Sequence, residues 1–472
     1  MKHSSMDIPV ARIIEVLGGK LLQGDSAVLC RSVSTDSRTM PEGALFIPLR
    51  GTSYDGHDYL DEAVKKGAAA VLMNHEERGR VENLPAAVPV IGVKDTLEAL
   101  GDLARWWRNQ FSLPVIAVTG STGKTTTKEM IALVAGKSFR VLKNDGNLNN
   151  LIGLPMTLLQ LRKGHGAAVL EAASNHPGEI ARLGDIASPE VAVITNIGPA
   201  HLEGFGPIEG VREEKGSIFS SLGREGIAVI NRDDDNIRIL EDRWRGKSIS
   251  FGINSRVTVK AERLFRRSDM SVSFTLKIGR MSKGIDMSTP GMHNIYNALA
   301  AAASAWAIGV PFEEICEGLT NFQQIPGRMT ITRLESGITL IDDSYNANPA
   351  SMKAALETLV LAKESGYGIV IFGDMLEMGD QAEEKHLEVG ALMAAAADMI
   401  FLTGDHAEVV AEGARRAGMD TEAIHLLTEP GEVVKHVRNL ERRDLWVLVK
   451  GSRYMEMERF CEAFKRDQEE AS

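Results

Sequence analysis

Cysteine is scarce. Only Cys30, Cys316 and Cys461 occur among 472 residues. Their separations match no metal-ligand spacing, which argues against a disulfide framework and a cysteine-based zinc site. A reducing cytoplasm is therefore the expected compartment. Long apolar runs are also missing. Stretches such as Val88 to Val93 are far too short to span a bilayer. The first residues, Met1 to Asp7, lead into an amphipathic segment rather than a signal-peptide core. No membrane association is expected. Nor is there an excess of positive charge: 53 Lys and Arg face 64 Asp and Glu, a net charge of −11. That balance disfavours general binding to nucleic acid, which depends on neutralising phosphates. A nucleotide can still be held locally.

What is present is an ordinary globular balance, 44% apolar and 25% charged residues, in a chain long enough for two to four domains. From about residue 113, short β-branched runs alternate with runs of helical period. Pro114–Thr119, Ala167–Leu170, Val191–Ile194 and Ile227–Ile230 read as strands, and Lys124–Ala135 as a helix. Strands alternating with helices predict a parallel sheet covered on both faces. Ser248–Pro290 is polar-alternating and reads as a small antiparallel appendage. A helix follows from His293 to about Ile308. The turn Ile325-Pro-Gly-Arg328 marks a boundary. A second open α/β sheet then runs through Gly368–Gly373, Met399–Leu402 and Leu445–Val449. The fold class is α/β in three domains, 1–112, 113–326 and 327–472.

The sharpest motif is Thr119-Gly-Ser-Thr-Gly-Lys-Thr-Thr126, set between a strand and a helix. Gly120 and Gly123 let backbone approach a phosphate, and the following helix presents its N–H groups and positive dipole end. Lys124 supplies a charge to the terminal phosphates, and the Thr125 hydroxyl can ligate Mg²⁺. The phosphate-loop pattern G-x-x-x-x-G-K-[ST] asks for glycine at position 118, where this chain has Val118. Glu171 follows a central strand, at the end where parallel sheets hold their ligands. His201 lies in the Gly/Pro-containing loop Thr195–Gly204. Asn231-Arg-Asp-Asp234 bears a faint likeness to a guanine-reading motif.

Together these motifs resemble the Mur ligase family of ATP-dependent peptidoglycan amide ligases, whose loop T-G-[ST]-x-G-K-[ST] lacks the earlier glycine. The resemblance continues through Asn147-Leu-Asn-Asn150, Glu214-Lys215, Met292-His-Asn-Ile-Tyr-Asn297, Pro326-Gly-Arg328 and Asp343-Ser-Tyr-Asn-Ala-Asn-Pro349. Ser34-Thr-Asp-Ser-Arg38, Asp55-Gly-His57, Gly373-Asp-Met-Leu-Glu-Met-Gly379 with His386, and Val449-Lys-Gly-Ser-Arg453 are most similar to the branch that adds D-alanyl-D-alanine. One departure is Ala172-Ala-Ser174, where the family commonly has a Gly-Ala pair. Small residues there imply little effect.

The resemblance implies a central phosphate-loop domain, a C-terminal Rossmann-like domain and an N-terminal α/β domain for a UDP sugar. It implies ATP and Mg²⁺ as cofactors, with UDP-N-acetylmuramoyl-tripeptide and D-alanyl-D-alanine as substrates of a cytoplasmic monomer. Lys124, His201 and Lys215 become catalytic residues, Lys215 as a carbamate. Gly120, Ser121, Thr122, Gly123, Lys124, Thr125, Thr126, Asn297, Arg328 and Asp343 become ATP-binding residues, with Asn297 at the adenine. Thr125 and Glu171 hold one Mg²⁺, and His201 and Lys215 a second. Asp36, Ser37 and Arg38 belong to the UDP end. Because ATP residues come from two domains, an open ligand-free form that hinges near Ile325-Pro-Gly327 is expected. The alternatives are another Mur-family amino-acid ligase, a folylpolyglutamate synthetase, which would not need some 110 residues before the loop, and a regulatory phosphate-loop NTPase. Neither a switch nor a plain NTPase has use for His201, Lys215 and a dedicated third domain.

Overall fold

The computed structural model describes residues 6–471 apart from 52, 200, 201, 268, 269, 441 and 443. The chain is α/β throughout, and its described residues form four sheets. A short antiparallel pair joins Ile8–Pro9 to Leu29–Cys30. Next comes a five-stranded sheet, in the order Lys20–Gln23, Val90–Val93, Ala70–Asn74, Ala44–Phe46 and Ser32–Ser34. Its first pairing is antiparallel and the rest are parallel.

The central sheet has nine strands. Val115–Thr119 lies between Ala167–Glu171 and Val191–Ile194 and is paired in parallel to both. All five of its residues are buried. That explains its unbroken apolar sequence, since a strand covered on both faces cannot alternate with polar residues. Ile227–Asn231 and Lys247–Gly252 extend the parallel run. The appendage expected on the central sheet is joined to its edge, but its first strand is parallel. Val259–Arg266 pairs in parallel with Lys247–Gly252, and only Ser271–Ile278 and Met281–Pro290 return antiparallel. The alternating burial of Ser271–Ile278 fits a sheet with one solvated face.

Helix Met292–Ala307 packs against helix Lys124–Ala135 and against the central strands. Ala298 to Ala303 are fully buried there. Alanine gives up no side-chain entropy in a helix and lets backbones come close. This seam fixes the phosphate loop at the C-terminal ends of the parallel strands, where the crevice of an open α/β sheet lies.

The last sheet runs Thr330–Arg333, Thr339–Asp343, Leu445–Lys450, Tyr367–Gly373, Met399–Thr403 and Ile424–Leu426, parallel except for its first pairing. The link to it turns at Gly327, whose φ of 73° suits glycine. There Arg328 donates its N–H to the Ile325 carbonyl at 3.0 Å, and Tyr345 to that of Gly327 at 3.1 Å. The two units also touch away from the crevice. Arg266 Nη1 donates to the Leu361 carbonyl at 2.7 Å, and Met270 is buried in the third hydrophobic core. The antiparallel end of the central sheet thus props the C-terminal unit against the phosphate loop.

Candidate active site

A cavity of about 920 Å³ lies between the two units, lined from one side by the phosphate loop and from the other by Arg328, Asp343 and Lys450. The loop joins Val115–Thr119 to the helix Lys124–Ala135. Its two glycines are required by space as well as by dihedral. Gly120 has φ 144°, and a Cβ there would sit 2.1 Å from Thr195 Oγ1. Gly123 has φ 75°, and its Cβ would sit 2.4 Å from Asn297 Oδ1. Asn196 accepts from the Thr122 N–H and hydroxyl, which ties the loop to the next strand end. Lys124 is half-buried, not solvated. It opens the helix, and its ammonium folds back onto the Gly120 carbonyl at 2.9 Å. Burial pulls its pKa below the usual lysine range; Glu171 opposes that shift and Arg328 adds to it.

Glu171 ends its strand and is 2% exposed, unlike the surface glutamate that commonly follows a strand. Asn144 grips its backbone on both sides, accepting its N–H at 2.9 Å and donating to its carbonyl at 3.0 Å. Asn149 donates to Oε1 at 2.8 Å. Oε2 is buried and has no hydrogen-bond partner among the described residues. A buried carboxylate oxygen without a donor is costly unless a cation completes it. Beside the Thr125 hydroxyl, this donor set fits a hard divalent cation.

Lys215 is 1% exposed. It lies near the end of helix Ile208–Gly216, not at the start of a helical Gly216–Leu222, which is instead a short 3₁₀ turn at Ser217–Ser221. Glu214 pins that helix by accepting the N–H groups of Gly178 and Ile180 at 2.7 and 2.8 Å. The Lys215 amine sits 5.1 Å over the Phe205 ring and donates to Ser174 Oγ at 2.9 Å. The departure at Ser174 therefore carries more than its small size implied: its hydroxyl holds Lys215. Burial, with Lys124 adding to it, lowers the Lys215 pKa from 10.5 to about 7. A neutral amine is thus available near physiological pH. His201 lies outside the described residues.

On the opposite wall, Arg328 Nη2 donates to Thr125 Oγ1 at 2.8 Å, and its guanidinium stacks 4.1 Å from the Tyr345 ring centroid. Asp343 accepts the Met329 N–H and the Lys450 ammonium. Lys450, 2% exposed, belongs to a motif quoted for the resemblance but had no role assigned. Asn297 lines the cavity, accepts from Thr127 Oγ1 at 3.2 Å and donates to Asn294 at 3.0 Å. Asp36, Ser37 and Arg38 are not among the lining residues. Asp36 binds the Arg38 backbone and guanidinium, both at 2.9 Å, and Ser37 is buried. Asn231, Asp233 and Asp234 of the motif Asn231-Arg-Asp-Asp234 line the cavity, and Asp233 also orders a loop. Asp233 accepts the N–H groups of Ile253, Asn254 and Ser255 and the Tyr296 hydroxyl.

The Mur ligase middle domain matches residues 118–305, the Mur ligase glutamate ligase domain residues 327–453, and the Mur ligase family catalytic domain residues 30–108. The UDP-N-acetylmuramoyl-tripeptide–D-alanyl-D-alanine ligase of Escherichia coli is 37% identical over 98% of this chain and 99% of its own. The enzyme of that name from Bacillus subtilis is 35% identical over 95% and 96%. Among solved structures, MurF from Acinetobacter baumannii superposes with a TM-score of 0.88 at 32% identity, covering 98% of this chain and 100% of that one. MurF ligase from Thermotoga maritima in complex with ADP gives 0.83 at 28%, covering 93% and 98%.

Proposed function

The chain belongs to the Mur ligase family, and on that premise we propose that it joins D-alanyl-D-alanine to UDP-N-acetylmuramoyl-tripeptide, at the expense of ATP, in peptidoglycan precursor synthesis. One observation carries the reading. A phosphate loop, the uncapped oxygen of Glu171 and the low-pKa amine of Lys215 belong to one region, beside a cavity closed from the far side by Arg328.

A carboxylate does not accept an amine at neutral pH, because it has no good leaving group. Transfer of the γ-phosphoryl group of ATP converts it to an acyl phosphate. The amine attacks the acyl carbon, the carbon–oxygen bond breaks, and phosphate leaves. Such chemistry needs positioning and neutralised charge more than a nucleophilic side chain. Gly120 to Thr126 hold the phosphates, and Lys124 swings from the Gly120 carbonyl to the terminal one. Arg328 exchanges its Thr125 contact for the same phosphate, and Asp343, held by Lys450, with Asn297 positions the nucleoside. Mg²⁺, when bound, neutralises the transferring group. Thr125 and Glu171 would hold one ion, and His201 with carbamylated Lys215 the other. Carbamylation needs an uncharged amine, which the low Lys215 pKa supports.

The division of labour is 1–112 for the UDP sugar through Asp36, Ser37 and Arg38, 113–326 for ATP, and 327–472 for the ATP edge and the dipeptide. The protein acts as a cytoplasmic monomer without nucleic-acid or membrane partners. No helix among the described residues is long and apolar enough to cross a membrane. A folylpolyglutamate synthase from Mycobacterium tuberculosis shares the fold at 17% identity, over 78% of this chain. The unit at 30–108 is what the donor's nucleotide end needs. The test is a mass-resolved reaction with ATP, UDP-N-acetylmuramoyl-tripeptide and D-alanyl-D-alanine. The donor mass rises by one dipeptide less water, and phosphate release depends on the dipeptide. Phosphate release without a dipeptide requirement would indicate an NTPase instead.

A further inference from the structure

The cluster Asp374, His386 and His406 has ligand atoms within 4.8 Å of one another, as a metal site would. Both ring nitrogens of His386 are committed elsewhere. His386 Nε2 accepts the Met375 N–H at 2.9 Å, and Nδ1 lies 2.6 Å from the Ala382 carbonyl, to which it donates. Asp374 accepts the N–H groups of Asp405 and His406 at 2.7 and 3.2 Å. What the cluster holds is a loop, Asp374 to Gly379. Met375 and Met378 are buried at its base, while Glu377 between them is exposed and lines the cavity. Glu377 has φ 65°, a left-handed conformation rare for a non-glycine residue. Such strain persists where the surroundings over-determine it. Gly379, with φ 54°, presses against Glu203 of the central unit.

A second loop is pinned to the first. Leu376 donates its N–H to Ser452 Oγ at 2.8 Å, and Ser452 donates its own to the Asp374 carbonyl at 3.0 Å. The residue after Ser452 is Arg453, which also lines the cavity. It holds Glu458 through one nitrogen at 2.6 Å and lies 5.8 Å from the Tyr345 ring centroid. Two loops fixed to each other thus carry one acid and one base to the same wall. Glu377 lines the same cavity as Lys124, Glu171 and Arg328. Its carboxylate therefore belongs to the space that the phosphate loop opens into.

A dipeptide acceptor is a zwitterion, with an ammonium that becomes the nucleophile once it loses a proton, and a carboxylate on the next residue. We propose that Glu377 receives the ammonium of the incoming dipeptide and Arg453 its carboxylate, so that the two joined loops set acceptor position and length. Asp374, His386 and Ser452 are positioning residues that act through these loops. This rests on the ligase reading above.

The two claims separate experimentally. Wild-type protein, donor and ATP without dipeptide, trapped with hydroxylamine, form a hydroxamate if the ligase reading holds; no hydroxamate means that the ligase reading fails. With that established, Glu377→Gln still forms the hydroxamate, while KM for D-alanyl-D-alanine rises about tenfold to a hundredfold and KM for ATP stays within about twofold. Arg453→Gln raises KM for the dipeptide by a similar factor. It changes KM little for the C-terminal amide of the dipeptide, which lacks the carboxylate. Unchanged dipeptide KM in Glu377→Gln, or loss of its hydroxamate with a raised Mg²⁺ requirement, overturns the ammonium assignment. An equal effect of Arg453→Gln on dipeptide and amide overturns the carboxylate assignment.

Discussion

Arg328 and Thr125 are 203 positions apart, yet the Arg328 guanidinium donates to the Thr125 hydroxyl at 2.8 Å. The bond crosses the cavity and ties the boundary of the C-terminal unit to the first turn of the phosphate-loop helix. Arg328 is thereby held at the phosphate loop, on the wall of the cavity. Arg328→Ala should lower kcat by about 10²- to 10³-fold, as loss of a preorganised charge contact does. Arg328→Lys should recover little of it, because an ammonium lacks the planar fork that also stacks on Tyr345. Dipeptide-dependent phosphate release measures both.

Glu171→Gln keeps a group that can accept from Asn149 and removes the charge. The melting temperature should equal or exceed that of wild type, since an uncapped buried carboxylate oxygen is destabilising. The Mg²⁺ concentration for half-maximal activity should rise at least about tenfold. A metal titration of the ligation rate gives the answer, and an unchanged midpoint would remove Glu171 from the metal site.

Lys215 ties stability to pH. Its folded-state pKa is about 7, below the ordinary 10.5. Between those values the unfolded chain binds more protons than the folded one, so this group makes stability rise as pH climbs from about 7 towards 10.5. Below pH 7 and above 10.5 its contribution is flat. Denaturation midpoints in CO₂-free buffer should therefore rise less from pH 7 to pH 9 in Lys215→Met than in wild type. Equal slopes would contradict a buried, low-pKa lysine. Lys215→Ala should be nearly inactive and partly rescued by a short carboxylate such as formate.

Much of this site was legible because its residues are local in sequence. The phosphate loop needs Gly120, Gly123 and Lys124 at fixed spacing between a strand and a helix, and periodicity supplied both flanks. The unbroken apolar run Val115–Thr119 likewise announced a strand buried on two faces. Lys215 shows where local reading stops. Its helix is polar on most positions, and its burial comes from Phe205, Ser174 and neighbouring helices that no spacing rule connects to it. Ser174 was weighed by size alone, whereas its effect is a hydrogen bond across 41 positions. The contact of the two units through Arg266 and Leu361 is again non-local. The appendage on the central sheet starts with a parallel strand, because Phe251 pairs with Val259, a register that alternation cannot reveal.

Ser174→Ala tests that hydrogen bond. The Lys215 amine loses its acceptor while the fold keeps a residue of nearly the same shape. Activity at limiting bicarbonate should fall about fivefold to tenfold, in line with one lost buried hydrogen bond. Saturating bicarbonate should restore most of it. A bicarbonate response identical to wild type would make the Ser174 contact incidental.

The acyl phosphate is the centre of the account, and the fate of the donor's oxygen tests it most directly. UDP-N-acetylmuramoyl-tripeptide labelled with ¹⁸O in its terminal carboxylate is incubated with ATP, Mg²⁺ and D-alanyl-D-alanine, and the released phosphate is analysed by mass. The carboxylate oxygen that attacks the γ-phosphorus leaves with it when the amine takes its place on carbon. One ¹⁸O per phosphate is the predicted result, and Lys124→Ala gives phosphate and amide product at the detection limit. Phosphate free of ¹⁸O while amide product accumulates would contradict the mechanism.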